Sequence, residues 1–174
     1  GWSTAYTTST LASVPINARH TGNTTTSISW TWDSGGGQDA YYACQQGNPG
    51  NNSGWITGNS WTMNGLAPNY PYTLDLKARN NNNIDTIVIS TTAYTSIETP
   101  ATVVFDAVRI TSATLRNNLN FSDLGVALSA VYFDTLYASG SDDSGWITTN
   151  SYTDYGLTPN TTVCYRIIAR NGQG

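Results

Sequence analysis

A chain of 174 residues with a net charge of −4 and seven Lys and Arg scattered singly offers no basic stripe for phosphate or anionic lipid, which argues against nucleic acid and membrane surfaces as partners. No run approaches the length needed to span a bilayer, so membrane insertion is not expected. Charged residues make up 10% against 39% apolar, so uncharged hydroxyls and amides must keep the surface wet, a composition suited to an extracellular or cell-surface protein.

In chain order, residues 1 to 10 form a Thr-rich segment that runs on through Leu11 to Pro15. Ile28, Trp30 and Trp32 then alternate with Ser29 and Thr31, the period of a strand with one apolar face. Ser53-Gly54-Trp55-Ile56-Thr57 returns as Ser144-Gly145-Trp146-Ile147-Thr148, an offset of 145 − 54 = 91. The offset continues from Asn59-Ser60 to Asn150-Ser151, from Gly65-Leu66 to Gly156-Leu157, from Pro68-Asn69 to Pro159-Asn160, and from Ala78-Arg79-Asn80 to Ala169-Arg170-Asn171. Tyr72, Leu74, Leu76 and Ala78, with their counterparts Val163, Tyr165, Ile167 and Ala169, mark a second half-buried strand in each repeat. Leu119 and Phe121 stand at the Ile28 and Trp30 positions when the same offset is applied upstream. Gly, Asn, Ser and Pro runs punctuate the strands and no helical period occurs, so two antiparallel sandwiches are expected.

Leu66-Ala67-Pro68-Asn69-Tyr70-Pro71-Tyr72 and Leu157-Thr158-Pro159-Asn160-Thr161-Thr162-Val163 resemble the E-to-F turn of fibronectin type III domains, and Trp30 resembles that family's core Trp. The 91-residue period is similar to the family's domain length. Tyr72 takes the tyrosine-corner place and Val163 departs from it. The resemblance implies two tandem Ig-like sandwiches and an extracellular scaffold, with no reaction attached.

The repeats differ at their ends. After Arg79 the first continues through Ile84–Ile89 and Thr92-Ala93-Tyr94-Thr95 to Pro100, its last strand; after Arg170 the second has only Asn171-Gly172-Gln173-Gly174. The second sandwich therefore reads as lacking its own G strand. The first residues carry Thr4-Ala5-Tyr6-Thr7 and lead to a Pro, and they read as a G strand with no domain before it. The expected division is a donor strand and linker at 1–13, a first sandwich at 14–98 and a second, incomplete one at 99–174.

An unfilled sandwich exposes an apolar groove and unpaired backbone groups, which a strand from another copy would cover. Trp2, Thr4, Tyr6 and Thr8 share one face of an extended segment and are the expected donor residues, with Val163, Tyr165, Ile167 and Ala169 on the accepting strand. Head-to-tail contacts that do not close propagate as filaments, so the expected partner is the chain itself. The alternatives are a period cut from a longer covalent array, which implies the same mechanical role, and a last strand that is deleted or disordered. The other function considered is an accessory or carbohydrate-binding spacer module of a secreted polysaccharide-active enzyme or surface adhesin.

No catalytic constellation emerges. His20 has no second imidazole, Asp142-Asp143 has Asn51-Asn52 at the matching place, and no acids pair across the repeats, so neither enzyme activity nor a metal or other cofactor is expected. Cys44 and Cys164 map at the 91 offset to Thr135 and Thr73, one thiol per repeat, and are expected free, with an interchain bridge as the alternative. Trp30, Trp55 and Trp146 are expected in packing, while Trp32 and Trp61 are left open for sugar stacking. Asn23, Asn51, Asn120 and Asn160 head Asn-X-Ser/Thr triplets, Asn120 being set aside as a strand residue. Asn23, Asn51 and Asn160 on this ground, and Thr7, Thr8, Thr24 and Thr25 in Thr-rich stretches, are the candidate acceptors of covalent glycans.

Overall fold

A computed structural model describes residues 1–137 and 142–174, which carry thirteen strands and no helix. They fall into two compact units, one of residues 1–66 and 71–93, the other of residues 67–70 and 94–174.

Unit 1 contains β1 (Ile16–Asn23), β2 (Ser27–Asp33), β3 (Ala40–Gln45), β4 (Asn48–Ile56), β5 (Ser60–Asn64), β6 (Pro71–Arg79) and β7 (Ile89–Tyr94). One sheet runs β1-β2-β5 and the other β4-β3-β6-β7. The alternation read from the sequence decides which side chains face inward. Ile28, Trp30 and Trp32 of β2 meet Tyr41 and Ala43 of β3, Leu74, Leu76 and Ala78 of β6, and Ala93 of β7, all buried. The Trp32 and Tyr41 rings pack edge to face with centroids 5.5 Å apart, a favoured arrangement for two quadrupoles. Trp32 therefore belongs to the core, and Trp61 packs against its margin. His20 lies on β1 with its ring edge-on to Trp30.

Unit 2 contains β8 (Val103–Val108), β9 (Ser112–Asn117), β10 (Ala130–Tyr137), β11 (Trp146–Ile147), β12 (Ser151–Tyr155) and β13 (Cys164–Arg170), in sheets β12-β9-β8 and β11-β10-β13. Its core gathers Leu115, Val131, Phe133 and Tyr165. It also holds a carboxylate. Asp154, fully buried, accepts a 2.8 Å hydrogen bond from the Tyr165 hydroxyl and one from the Asp142 amide at 3.2 Å. Burial, reinforced by that carboxylate, pushes the Tyr165 hydroxyl above the usual phenol range. The counterparts at the 91 offset, Met63 and Leu74, form a purely apolar pair in unit 1.

The constant offset fails upstream of the Trp55 and Trp146 motif. β9 ends at Asn117, so Leu119 and Phe121 lie beyond it, and Ala113 and Leu115 take the places of Ile28 and Trp30 at an offset of 113 − 28 = 85. The segment at 118–129 is longer than its counterpart at 34–39, which absorbs the difference. Asn120 is likewise outside any strand and exposed. On β3, Cys44 pairs with Asp75, while on β10 Asp134 pairs with Arg166, so the counterpart of Cys44 is Asp134 and not Thr135.

Candidate functional site

β6 is bonded on both sides, to β3 and β7, whereas among the described residues β13 is bonded only to β10. The repeat provides an internal control for what an open flank does to packing. Leu74, Leu76 and Ala78 are 0%, 1% and 0% exposed. Their counterparts Tyr165, Ile167 and Ala169 are less sealed, Tyr165 at 9% and the other two half-buried. On the facing sheet Phe105 is 48% exposed although its ring lies 5.9 Å from that of Tyr165. A cleft of about 300 Å3 opens there, lined by Phe105, Val108, Ile110, Leu157, Thr161 and Val163. Val163, Tyr165, Ile167 and Ala169, the residues expected from the sequence to accept a strand, share one inward face, as the alternation predicts.

The N-terminal residues belong to unit 1 and contain no strand up to Pro15. Trp2 and Tyr6 are 103% and 92% exposed, and Thr4 and Thr8 are exposed with them. The segment is nonetheless seated at its base. Asn80 donates from Nδ2 to the Thr10 carbonyl at 2.9 Å, and Asn82 donates to the Thr8 hydroxyl at 3.2 Å. Unit 2 holds its own leading segment in the same manner. Asn171 donates to the Thr95 carbonyl at 3.0 Å, and Gln173 accepts from the Tyr94 amide at 3.3 Å. Asn80 and Asn171 are repeat counterparts, so Thr10 occupies the place of Thr95, an offset of 95 − 10 = 85. Pro15 and Pro100 stand at the same offset.

The glycan candidates separate by environment. Thr7 and Thr24 are exposed, Thr25 and Asn23 are half-buried, and Thr8 is exposed but engaged by Asn82. Asn51 is half-buried with its amide nitrogen donated to Gln45 and the Asn64 carbonyl. Asn160 is exposed at the edge of the cleft.

Trp55 and Trp146 are not core residues. They are 36% and 43% exposed on the outer sheet faces, beside Tyr42 and Tyr132, and each lies under a guanidinium: Arg79 is 4.3 Å from one ring centroid and Arg170 4.4 Å from the other. Their recurrence records this stack. Cys44 and Cys164 are both free, the first half-buried and the second exposed; burial, with the nearby Asp75 carboxylate, raises the Cys44 thiol while Lys77 opposes it.

No family model and no curated protein matches the chain. Among solved structures it is similar to a segment of two fibronectin type III domains from chicken tenascin, 18% identical, covering 91% of this chain and 92% of that one with a TM-score of 0.57. A computationally redesigned β-sandwich protein (24% identity, TM-score 0.39) covers 47% of this chain and 93% of its own. The family 28 exopolygalacturonase of Yersinia enterocolitica (15%, TM-score 0.40) covers 47% of this chain and 20% of its own. The tenascin likeness shows the fold: two tandem fibronectin type III-like, Ig-like β-sandwiches.

Proposed function

We propose that the chain is a structural subunit of an extracellular filament, in which the N-terminal segment of one copy supplies the strand that β13 lacks on the next. The observation that carries this reading is the contrast between equivalent residues, sealed on β6 by Ile89 and Ala93 of β7 and open on β13. A free strand edge beside an apolar cleft is a liability in water and a template for another strand.

The seat at Thr10 supports one register for the donated strand. On β6 and β7, Thr73 meets Thr92 and Asp75 meets Ser90 across the antiparallel pair, which sets Leu74 opposite Thr91. Carrying β7 back by 85 and β6 forward by 91 sets Tyr6 opposite Tyr165, Thr4 opposite Ile167 and Thr8 opposite Val163, with Trp2 running on toward Ala169. Trp2, Thr4, Tyr6 and Thr8 then face inward, as Ile89, Thr91 and Ala93 do in unit 1. Matching the two Thr-Ala-Tyr-Thr strings gives an offset of 88 instead, and that slip of three would turn Ala5 inward. The seat favours the aromatic face. Covalent glycans and a place outside the cell belong to the same reading, since they explain how so few charges keep a long polymer in solution.

Sedimentation of the full chain at micromolar concentration is expected to show polymers, and electron micrographs unbranched filaments. A chain lacking residues 1–10 is expected to stay monomeric and folded. Full-length chains that remain monomers, as a spacer module would, overturn the proposal.

A further inference from the structure

The turn Ala67–Tyr70 belongs to unit 2, although it connects β5 to β6. Its seat is Asn69, whose side chain is fully buried in a left-handed backbone conformation, φ 50°. Asn69 Nδ2 donates to the Ser122 carbonyl at 2.6 Å, the Asp123 carbonyl at 3.2 Å and the Ser129 hydroxyl at 2.8 Å, and its Oδ1 accepts from the Gly172 amide at 3.1 Å. Its backbone amide donates to the Ser96 carbonyl, at the start of the segment that unit 2 clamps through Asn171.

The repeat counterpart is Asn160, with the same turn and nearly the same backbone angle, φ 58°. Its environment is the reverse: exposed, at the edge of the open cleft. Unit 1 presents the counterparts of two of the four groups that hold Asn69. Asn81 stands where Gly172 stands, 172 − 91, and Asp39 where Ser129 stands, on the offset of 90 that relates β3 to β10. The Asp39 side chain is part-exposed, 3.9 Å from Arg79.

We infer that Asn160 of each copy docks on unit 1 of the copy that donates its strand, its amide nitrogen donating to the Asp39 carboxylate and its oxygen accepting from the Asn81 amide. The inference rests on the filament reading, and it names the second contact of each junction. It also assigns Asn160 to assembly and away from glycosylation, because a sugar on Nδ2 would occupy the atom that must approach Asp39. The longer loop that supplies Ser122 and Asp123 in unit 2 has no equal in unit 1, so this contact is smaller than the one that Asn69 makes.

The test compares polymer dissociation on dilution for the full chain and three variants. Asn160→Ala and Asp39→Ala are each expected to raise the concentration at which polymer dissociates by about 10-fold, as the loss of a buried amide's partners does. Their combination is expected to do no more than either alone. Thr162→Ala removes the glycosylation triplet but keeps the amide, and is expected to dissociate like the parent chain. Asn160→Ala matching the parent, or Thr162→Ala falling equally, overturns the docking and leaves strand donation standing. Failure of the parent chain itself to polymerise overturns both.

Discussion

A chain carrying a second copy of residues 1–10 after Gly174 is expected to remain a monomer at concentrations where the parent chain polymerises. In unit 1, residues 80–88 separate β6 from β7, nine in all. Residues 171–174, two added glycines and the copied Gly1 to Ser3 also make nine between Arg170 and the copied Thr4, so the tether reaches. Tethering makes insertion intramolecular at an effective concentration of about a millimolar, roughly a thousandfold above a micromolar competitor. Burying Trp2 and Tyr6, both fully exposed in the single chain, contributes about 4 to 6 kcal/mol each at ~25 cal/mol per Å2 before ordering costs. The same copy with both aromatics changed to Ala is expected to leave the groove fillable by neighbours and restore polymers. An extended chain that polymerises as before would contradict strand insertion.

Trp30→Ala is expected to lower the stability of unit 1 by about 3 to 5 kcal/mol, the cost of emptying a large buried site that its neighbours cannot collapse into. For a domain of this size that is a fall of about 12 °C or more in the melting temperature. Trp30→Phe is expected to cost roughly half as much or less, for a specific reason. The Trp30 indole N–H is buried and meets no hydrogen-bond acceptor among the described residues, so Phe retains a ring in the core and removes an unsatisfied donor. Differential scanning calorimetry of both variants checks the order, and equal losses would show that the indole nitrogen is satisfied.

The core strands were legible because their signal is local. Ile28, Trp30 and Trp32 alternate with polar neighbours, and all three are buried; Leu74, Leu76 and Ala78 do the same on β6. Loop length was not legible in that way. A single offset of 91, taken from the Gly-Trp-Ile motif, carries Trp30 to Phe121, while the structure carries it to Leu115 because the segment at 118–129 is longer. Recurrence also misled for Trp55 and Trp146. A residue repeated at one place need only repeat its contacts, and theirs are with Arg79 and Arg170 on outer faces.

The candidate site was legible in outline and not in detail. The alternation of Val163, Tyr165, Ile167 and Ala169 gives their shared inward face, and among the described residues β13 is bonded only to β10. The seats of the two leading segments were hidden, since Asn80 meets Thr10, and Asn171 meets Thr95, across long stretches of sequence. Asp154 was hidden for a similar reason. An acid among polar strand residues reads as exposed until Tyr165, eleven residues on, is seen to bond it inside the core.

Strand donation is tested most directly by backbone amide exchange in residues 1–10, compared between assembled and dilute chain. In the single chain none of these residues lies in a strand, so their amides are expected to exchange fast. In the polymer, alternate amides between Ser3 and Ser9 are expected to be protected as strongly as those of β7, because each would bond a β13 carbonyl on the next copy. Intact filaments in which residues 1–10 exchange as fast as in the monomer would contradict the account.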